Sequence, residues 1–175
     1  MGNYIALQYY DSPCGNLMLA SLGDKLCMCD WTNNPHRALT DKRLEQSLKC
    51  RLRHAPSSTI SETTKQLDEY FAGTRNFFTI PLLFAGSEFQ ISVWNALTEI
   101  KYGKTCSYQH ISNVINRPKA TRAVANAIGA NPISIIVPCH RVIGSNGSLT
   151  GYAGGINTKQ YLLSLETTTT NATPV

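Results

Sequence analysis

The chain has 175 residues, a formal net charge of +5, 42% hydrophobic residues and 15% charged residues. That composition excludes intrinsic disorder, and the length allows one domain or two small ones with a real core. No apolar run is long enough to span a bilayer, so no membrane partner is expected.

The first residues, "MGNYIALQYYDSPCG", lack the basic start and apolar stretch of a secretory signal. Gly2 is a poor myristoylation candidate because Ala6 stands where Ser or Thr is wanted. "YIALQYY", "GNLMLASLG" and "KLCMCDWT" are rich in strand-forming residues, with turns expected at Asp11-Ser12-Pro13 and Gly23-Asp24. Cys27 and Cys29 then fall on one side of a strand and belong to the core. A helix is expected from His36 to Leu48 with Leu39, Leu44 and Leu48 on one side, then a loop at "HAPSSTI". A second helix is expected over "SETTKQLDEYFAG", with Leu67, Tyr70 and Phe71 on one face and Gly73 as its stop. "NFFTIPLLFAG" is an extended connector. Residues 1–85 thus predict a small N-terminal α/β domain with an antiparallel sheet.

The composition changes near Gly86. Ser87 and Gln90 form a capping-box pattern, and Val93, Trp94, Leu97 and Ile100 mark a helical apolar face. Two short amphipathic helices follow, one marked by Ile111, Val114 and Ile115, the other by Ala123, Val124, Ala127 and Ile128. Arg117, Lys119 and Arg122 lie near the start of the second, a pattern that suits a helix-turn-helix and equally suits a plain helical hairpin. The run "ISIIVPCH" predicts a buried strand ending on Cys139 and His140. "TGYAGG" is too glycine-rich for helix and suits a loop that approaches a ligand closely. "NTKQYLLSLE" predicts a last helix with Tyr161, Leu162 and Leu165 as its stripe and Glu166 near its end. Residues 168–175 show no packing pattern and are expected to be a disordered tail. Residues 86–167 therefore read as a mostly helical, winged-helix-like C-terminal domain.

Charge divides unevenly between these halves. Residues 1–85 carry nine Lys/Arg and eight Asp/Glu, while residues 86–167 carry seven and three. The basic excess accompanies the Cys-His segment and suits an anionic partner such as nucleic acid. The six cysteines, at 14, 27, 29, 50, 106 and 139, are expected to be reduced thiols in a cytoplasmic protein, or a nuclear one in a eukaryotic cell. Cys27-x-Cys29 lacks zinc-pair spacing, and no metal or other cofactor is expected. Cys139 taken alone reads first as a small core residue.

Tyr108, Arg122, Asn131, "PCHRV" at 138–142, "GYAGG" at 151–155 and Glu166 form an ordered set. With "RAVANAIGANP" upstream and "LLSLE" downstream, this set resembles the O6-alkylguanine-DNA alkyltransferases, closely over Ser87 to Glu166. The first half resembles that family more loosely, through "DSPCGNLML" and "LDEYFAG". Val137 stands where Ile is more usual, Ala153 where some members have Ser, and Ser134 where some have Pro.

The resemblance implies roles. Cys139 is the alkyl acceptor, His140 its base through a water, and Glu166 the group that orients His140. Tyr108 rotates the nucleotide and protonates N3, while Asn131 ties the recognition helix to the active-site segment. Arg122 fills the space left by a flipped base, with Ala123 and Lys119 on the DNA side. The carbonyls of Cys139 and Val142 receive the guanine amino group, and Tyr152 and Ala153 meet O6. The implied partner is double-stranded DNA with an alkylated base, bound through the minor groove by a monomer. The implied activity is irreversible single-turnover repair of O6-alkylguanine, and less surely O4-alkylthymine. Two other readings stay open on residues alone. One is a cysteine hydrolase, with His140 or His110 as base. The other is a damage-sensing DNA-binding protein, whose known members lack the acceptor cysteine.

Overall fold

A computed structural model describes residues 4–172. Strands β1 (Tyr4–Ser12), β2 (Gly15–Leu22) and β3 (Lys25–Trp31) form an antiparallel meander. Its turns fall at Pro13-Cys14 and Gly23-Asp24. Helix α1 (Arg37–Leu48) leads into β4 (Arg51–His54), a strand the sequence did not signal, which pairs parallel to β1. The sheet order is β3-β2-β1-β4. Helix α2 (Ser58–Phe71) starts three residues earlier than expected because the Ser57 hydroxyl accepts from the Ile60 N–H as its N-cap.

The second half opens with α3 (Glu88–Thr98), whose Ser87–Gln90 capping box is complete. A short strand β5 (Cys106–Ser107) precedes α4 (Tyr108–Val114), and α5 (Thr121–Gly129) follows. The chain then coils to β6 (Val142–Ile143), which pairs parallel with β5, and ends in α6 (Ile156–Ala172). The architecture is a mainly antiparallel sheet domain, with β4 as a parallel edge strand, joined to a helical domain.

Each face of the sheet buries a different cluster. Ile5, Leu7, Ala20, Cys27 and Met28 pack with Leu44 of α1. Leu17, Leu19, Leu26, Cys29 and Trp31 pack with Trp94, Leu97, Ile133, Val137 and Cys139, so the larger core crosses between the halves. Cys27 and Cys29 are both buried but face opposite ways, contrary to the expectation from alternation. A bulge explains this: Ala20 pairs with Met28 and Ser21 with Leu26, leaving Cys27 unpaired and shifting the side-chain phase by one.

Three other expectations are corrected. Leu39 is 66% exposed, because α1 rests on the sheet through Thr40 and Leu44. Tyr161 is 39% exposed, because α6 buries Thr158, Lys159, Leu162 and Glu166, a face that is largely polar. Residues 168–172 are helical rather than a loose tail. The Thr169 and Thr170 hydroxyls donate to the carbonyls of Leu165 and Glu166, and Thr169 packs over Gly73 at the end of α2. Residues 173–175 lie outside the described part.

Gly86 joins the halves where no side chain fits. A Cβ there would lie 2.5 Å from the Trp94 ring, which is itself fixed by a 2.8 Å bond from its indole N–H to the Ala127 carbonyl. Gly86→Ala is expected to destabilise the protein by about 1–3 kcal/mol in chemical denaturation, because neither group can yield.

Candidate active site

The apolar run before Cys139 does not form the expected strand. It coils through a left-handed Ile135 at φ +69, with short backbone bonds from Ile136 to Ser134, from Val137 to Ile133 and from Cys139 to Val137. A β-branched residue rarely takes that conformation, and a buried side chain holds it there. The chain enters a single 3₁₀ turn, Cys139–Arg141. Successive side chains in such a turn point in different directions. Cys139, His140 and Arg141 are all buried.

Glu166 sits behind them in the middle of α6, not near its end. Its Oε1 accepts His140 Nε2–H at 2.7 Å and Arg141 Nη2 at 3.0 Å, while Oε2 accepts Arg141 Nε at 2.9 Å and the Gly103 N–H at 3.2 Å. Burial works to raise the Glu166 pKa, but its bonds to His140 and Arg141 outweigh burial and hold it at about 2. The group is therefore a carboxylate, which can only accept. His140 Nε2 must carry the proton, and its Nδ1, buried with no protein partner, is the basic nitrogen. Burial lowers the His140 pKa, and Glu166 opposes that shift without reversing it.

The Cys139 thiol is pushed up to about 11 by burial. A hydrogen bond with Asn131 and the charge of Lys159 pull the other way. The resting thiol is protonated and needs a base. Asn131 is buried beside it. Its amide donates to the carbonyls of Ile133 at 3.3 Å and Val137 at 3.0 Å, and its Oδ1 accepts from the Ile133 N–H. It thereby ties the end of α5 to the segment that carries Cys139.

Tyr108 opens α4, and its hydroxyl lies 2.9 Å from Thr150 Oγ1. Tyr108, Thr150, Tyr152 and Ala153 line a cavity of about 450 Å³ with Asn126 and Ile128 of α5 and with Asn34 and His36 of the first half. Tyr152 links this cavity to the acceptor: its ring centroid is 6.5 Å from that of His140 and 6.1 Å from that of Trp31. A Cβ on Gly154 would meet the Trp31 ring at 2.7 Å, so the glycine-rich loop lies directly on that tryptophan. Val142 is buried, and its carbonyl accepts Lys159 Nζ at 2.6 Å, leaving one lone pair for another donor. Lys119, Arg122 and Ala123 are exposed on and before α5, outside the buried row.

The sequence reading missed Arg141, Lys159 and the cavity residues from the first half. Arg141 was visible as a charge inside an apolar run, and Lys159 as a cation beside the stripe of α6. Nothing in the sequence marked Asn34 or His36. Among the described residues no three His, Cys, Asp or Glu side chains cluster as a metal site, and no cysteine is paired.

A buried thiol, a histidine with one basic nitrogen free and a carboxylate fixing that histidine define a cysteine-nucleophile protein with an adjoining helical hairpin. Sequence comparison places it more closely. Residues 88–168 match the 6-O-methylguanine DNA methyltransferase DNA-binding domain, and residues 5–84 match the ribonuclease-like domain of the same proteins. The chain belongs to the 6-O-methylguanine DNA methyltransferase family. It is 52% identical over 161 residues to the methylated-DNA–protein-cysteine methyltransferase of Methanosarcina barkeri, covering 90% of this chain and 96% of that one. To the inducible enzyme of Bacillus subtilis it is 50% identical over 133 residues, covering 72% and 74%. The crystal structure of Mycobacterium tuberculosis OGT in complex with DNA superposes with a TM-score of 0.80 at 41% identity, over 94% of each chain.

Glu166→Gln removes the charge that Arg141 and His140 share. Loss of one partner of a buried pair should cost about 3 kcal/mol at neutral pH. Because the folded pKa of Glu166 is depressed, its contribution is present above about 4.5 and is lost as the pH falls toward about 2. Denaturation curves of the two proteins should therefore converge over that acid window.

Proposed function

We propose that the chain repairs DNA by moving the alkyl group of O6-alkylguanine, or of O4-alkylthymine, onto Cys139. The observation that carries this reading is the buried row of Cys139 thiol, His140 with a bare Nδ1, and Glu166 bonded to Nε2 at 2.7 Å. His140 Nδ1 takes the thiol proton through a bridging water, and Glu166 stabilises the imidazolium. The sulfur attacks the alkyl carbon, a new C–S bond forms and the C–O6 bond breaks. The electron pair passes into the purine, and Tyr108 supplies a proton to N3, so neutral guanine leaves. The thioether does not hydrolyse, so each molecule acts once and no cofactor takes part.

The alkyl carbon lies inside the base stack, so the nucleotide must leave the duplex. Arg122, exposed on α5, fills the vacated space. The Ala123 side of α5 and Lys119 meet the DNA through the minor groove, with phosphate contacts that carry no sequence preference. Tyr152 and Ala153 present backbone to O6, and the Cys139 and Val142 carbonyls receive the exocyclic amine. Residues 86–167 act as the DNA-binding and acceptor unit, residues 1–85 support it, and the protein works as a monomer. No helix among the described residues is long and apolar enough to cross a membrane. We place the protein in the cytoplasm, or in the nucleus of a eukaryotic cell.

Incubation with a duplex carrying one O6-methylguanine should add a single methylene to Cys139, by intact mass and peptide mapping, and stop at one per molecule. Tight binding without transfer would instead favour a damage sensor. Turnover on an ester would favour a cysteine hydrolase. Arg122→Ala should slow transfer from the duplex by roughly tenfold or more while leaving Cys139 alkylation by iodoacetamide unchanged.

A further inference from the structure

Tyr70 belongs to α2 in the sheet domain, and Glu166 to α6 near the other end of the chain. The two meet in the core, where the Tyr70 hydroxyl donates to Glu166 Oε1 at 2.8 Å. Oε1 is the same oxygen that holds His140 Nε2–H. Tyr70 is fully buried, and its ring is boxed by Phe71, Phe78 and Tyr102 at centroid distances of 5.3, 5.6 and 6.0 Å. Burial and the adjacent carboxylate push its pKa well above 10, so the hydroxyl keeps its proton and is a permanent donor.

Glu166 does not depend on this bond for its place. Arg141 grips both oxygens, and the Gly103 N–H adds a third anchor on Oε2. What Tyr70 changes is the charge on Oε1. A carboxylate oxygen that shares its lone pairs with a second strong donor attracts the first donor's proton less. We infer that Tyr70 is a positioning residue of the acceptor site, supplied by the sheet domain, whose hydroxyl draws charge from the Glu166 oxygen holding His140 and so keeps the imidazole neutral and ready to act as base. This rests on the base role assigned to His140 above.

The other groups facing His140 are accounted for. Arg141 and Lys159 both disfavour a proton on the ring, and Glu166 favours one. Tyr102 stands beside Tyr70, and Tyr152 and Cys139 beside the imidazole. Tyr70→Phe leaves all of these in place and removes one donor.

The test is an NMR titration of the His140 ring nitrogens in the free protein, wild type against Tyr70→Phe. With the donor gone, more charge stays on Oε1 and the imidazole should hold its proton to a pH higher by roughly half a unit to one unit. The acid limb of single-turnover methyl transfer should move up with it. A merely structural Tyr70 would lower the melting temperature without moving either midpoint, and an unchanged or lowered His140 midpoint overturns the inference. If Tyr70→Phe does not fold, 3-fluorotyrosine at position 70 keeps the ring and strengthens the donor. The midpoint must then move down, and no movement or a rise overturns the inference. If the wild type accepts no methyl group, the proposed function fails, yet the ring titration still decides the role of Tyr70.

Discussion

The buried charge of Glu166 is the constraint on which the rest of this structure depends. An ionised carboxylate in a protein interior costs several kcal/mol unless donors surround it. Here four residues from three separate places supply the donors: Tyr70 on α2, the Gly103 backbone, and His140 and Arg141 from the 3₁₀ turn. None is near Glu166 in sequence. Gly103, His140 and Arg141 belong to the second half of the chain and Tyr70 to the first, so the Glu166 carboxylate is touched from both halves.

That arrangement answers the problem posed by a buried thiol in the proposed acceptor role. Burial keeps the Cys139 thiol protonated, with its pKa near 11, and keeps His140 neutral. A neutral thiol beside a neutral imidazole reacts slowly with solvent electrophiles, and its proposed base lies within the same turn. Glu166 fixes which imidazole nitrogen is bare, and Lys159 and Asn131 lower the cost of charge on sulfur when the proton leaves. Lys159 also anchors the loop that lines the cavity, through the carbonyls of Val142 and Thr150. The cation that favours the thiolate therefore also shapes the pocket wall.

Around this polar centre the apolar packing is what sets distances. The bulge at Cys27 turns Cys29 toward the shared core, where its backbone pairs with the segment leading to Cys139. Trp31 at the end of the same strand carries the glycine-rich loop, and only the missing side chain of Gly154 allows so close an approach. The sheet domain thus reaches the site twice, through Trp31 and through Tyr70.

Much of the candidate site was legible through resemblance to a known family. Pro138-Cys139-His140-Arg141-Val142, the glycine-rich "GYAGG" and Glu166 carry that resemblance, and it implies a nucleophile, a base and an orienting carboxylate, whereas side-chain type alone left a core cysteine and a hydrolase open. Helices α2, α3, α5 and α6 were legible because apolar spacing and caps are local signals. The failures have local causes too. Apolar content implied a strand before Cys139, but a strand also needs a partner, and the run coils through Ile135 instead. Strict alternation put Cys27 and Cys29 together, and a one-residue bulge separated them. Strand β4 escaped notice because it is short and polar and pairs at the sheet edge. What the sequence by itself determined is the set of candidate site residues and their order. The tertiary structure alone decided which nitrogen of His140 is basic, that Arg141 and Lys159 are buried ions, and that Tyr70 touches the Glu166 carboxylate. Each of these depends on contacts between residues far apart in the chain, and local pattern holds no record of them.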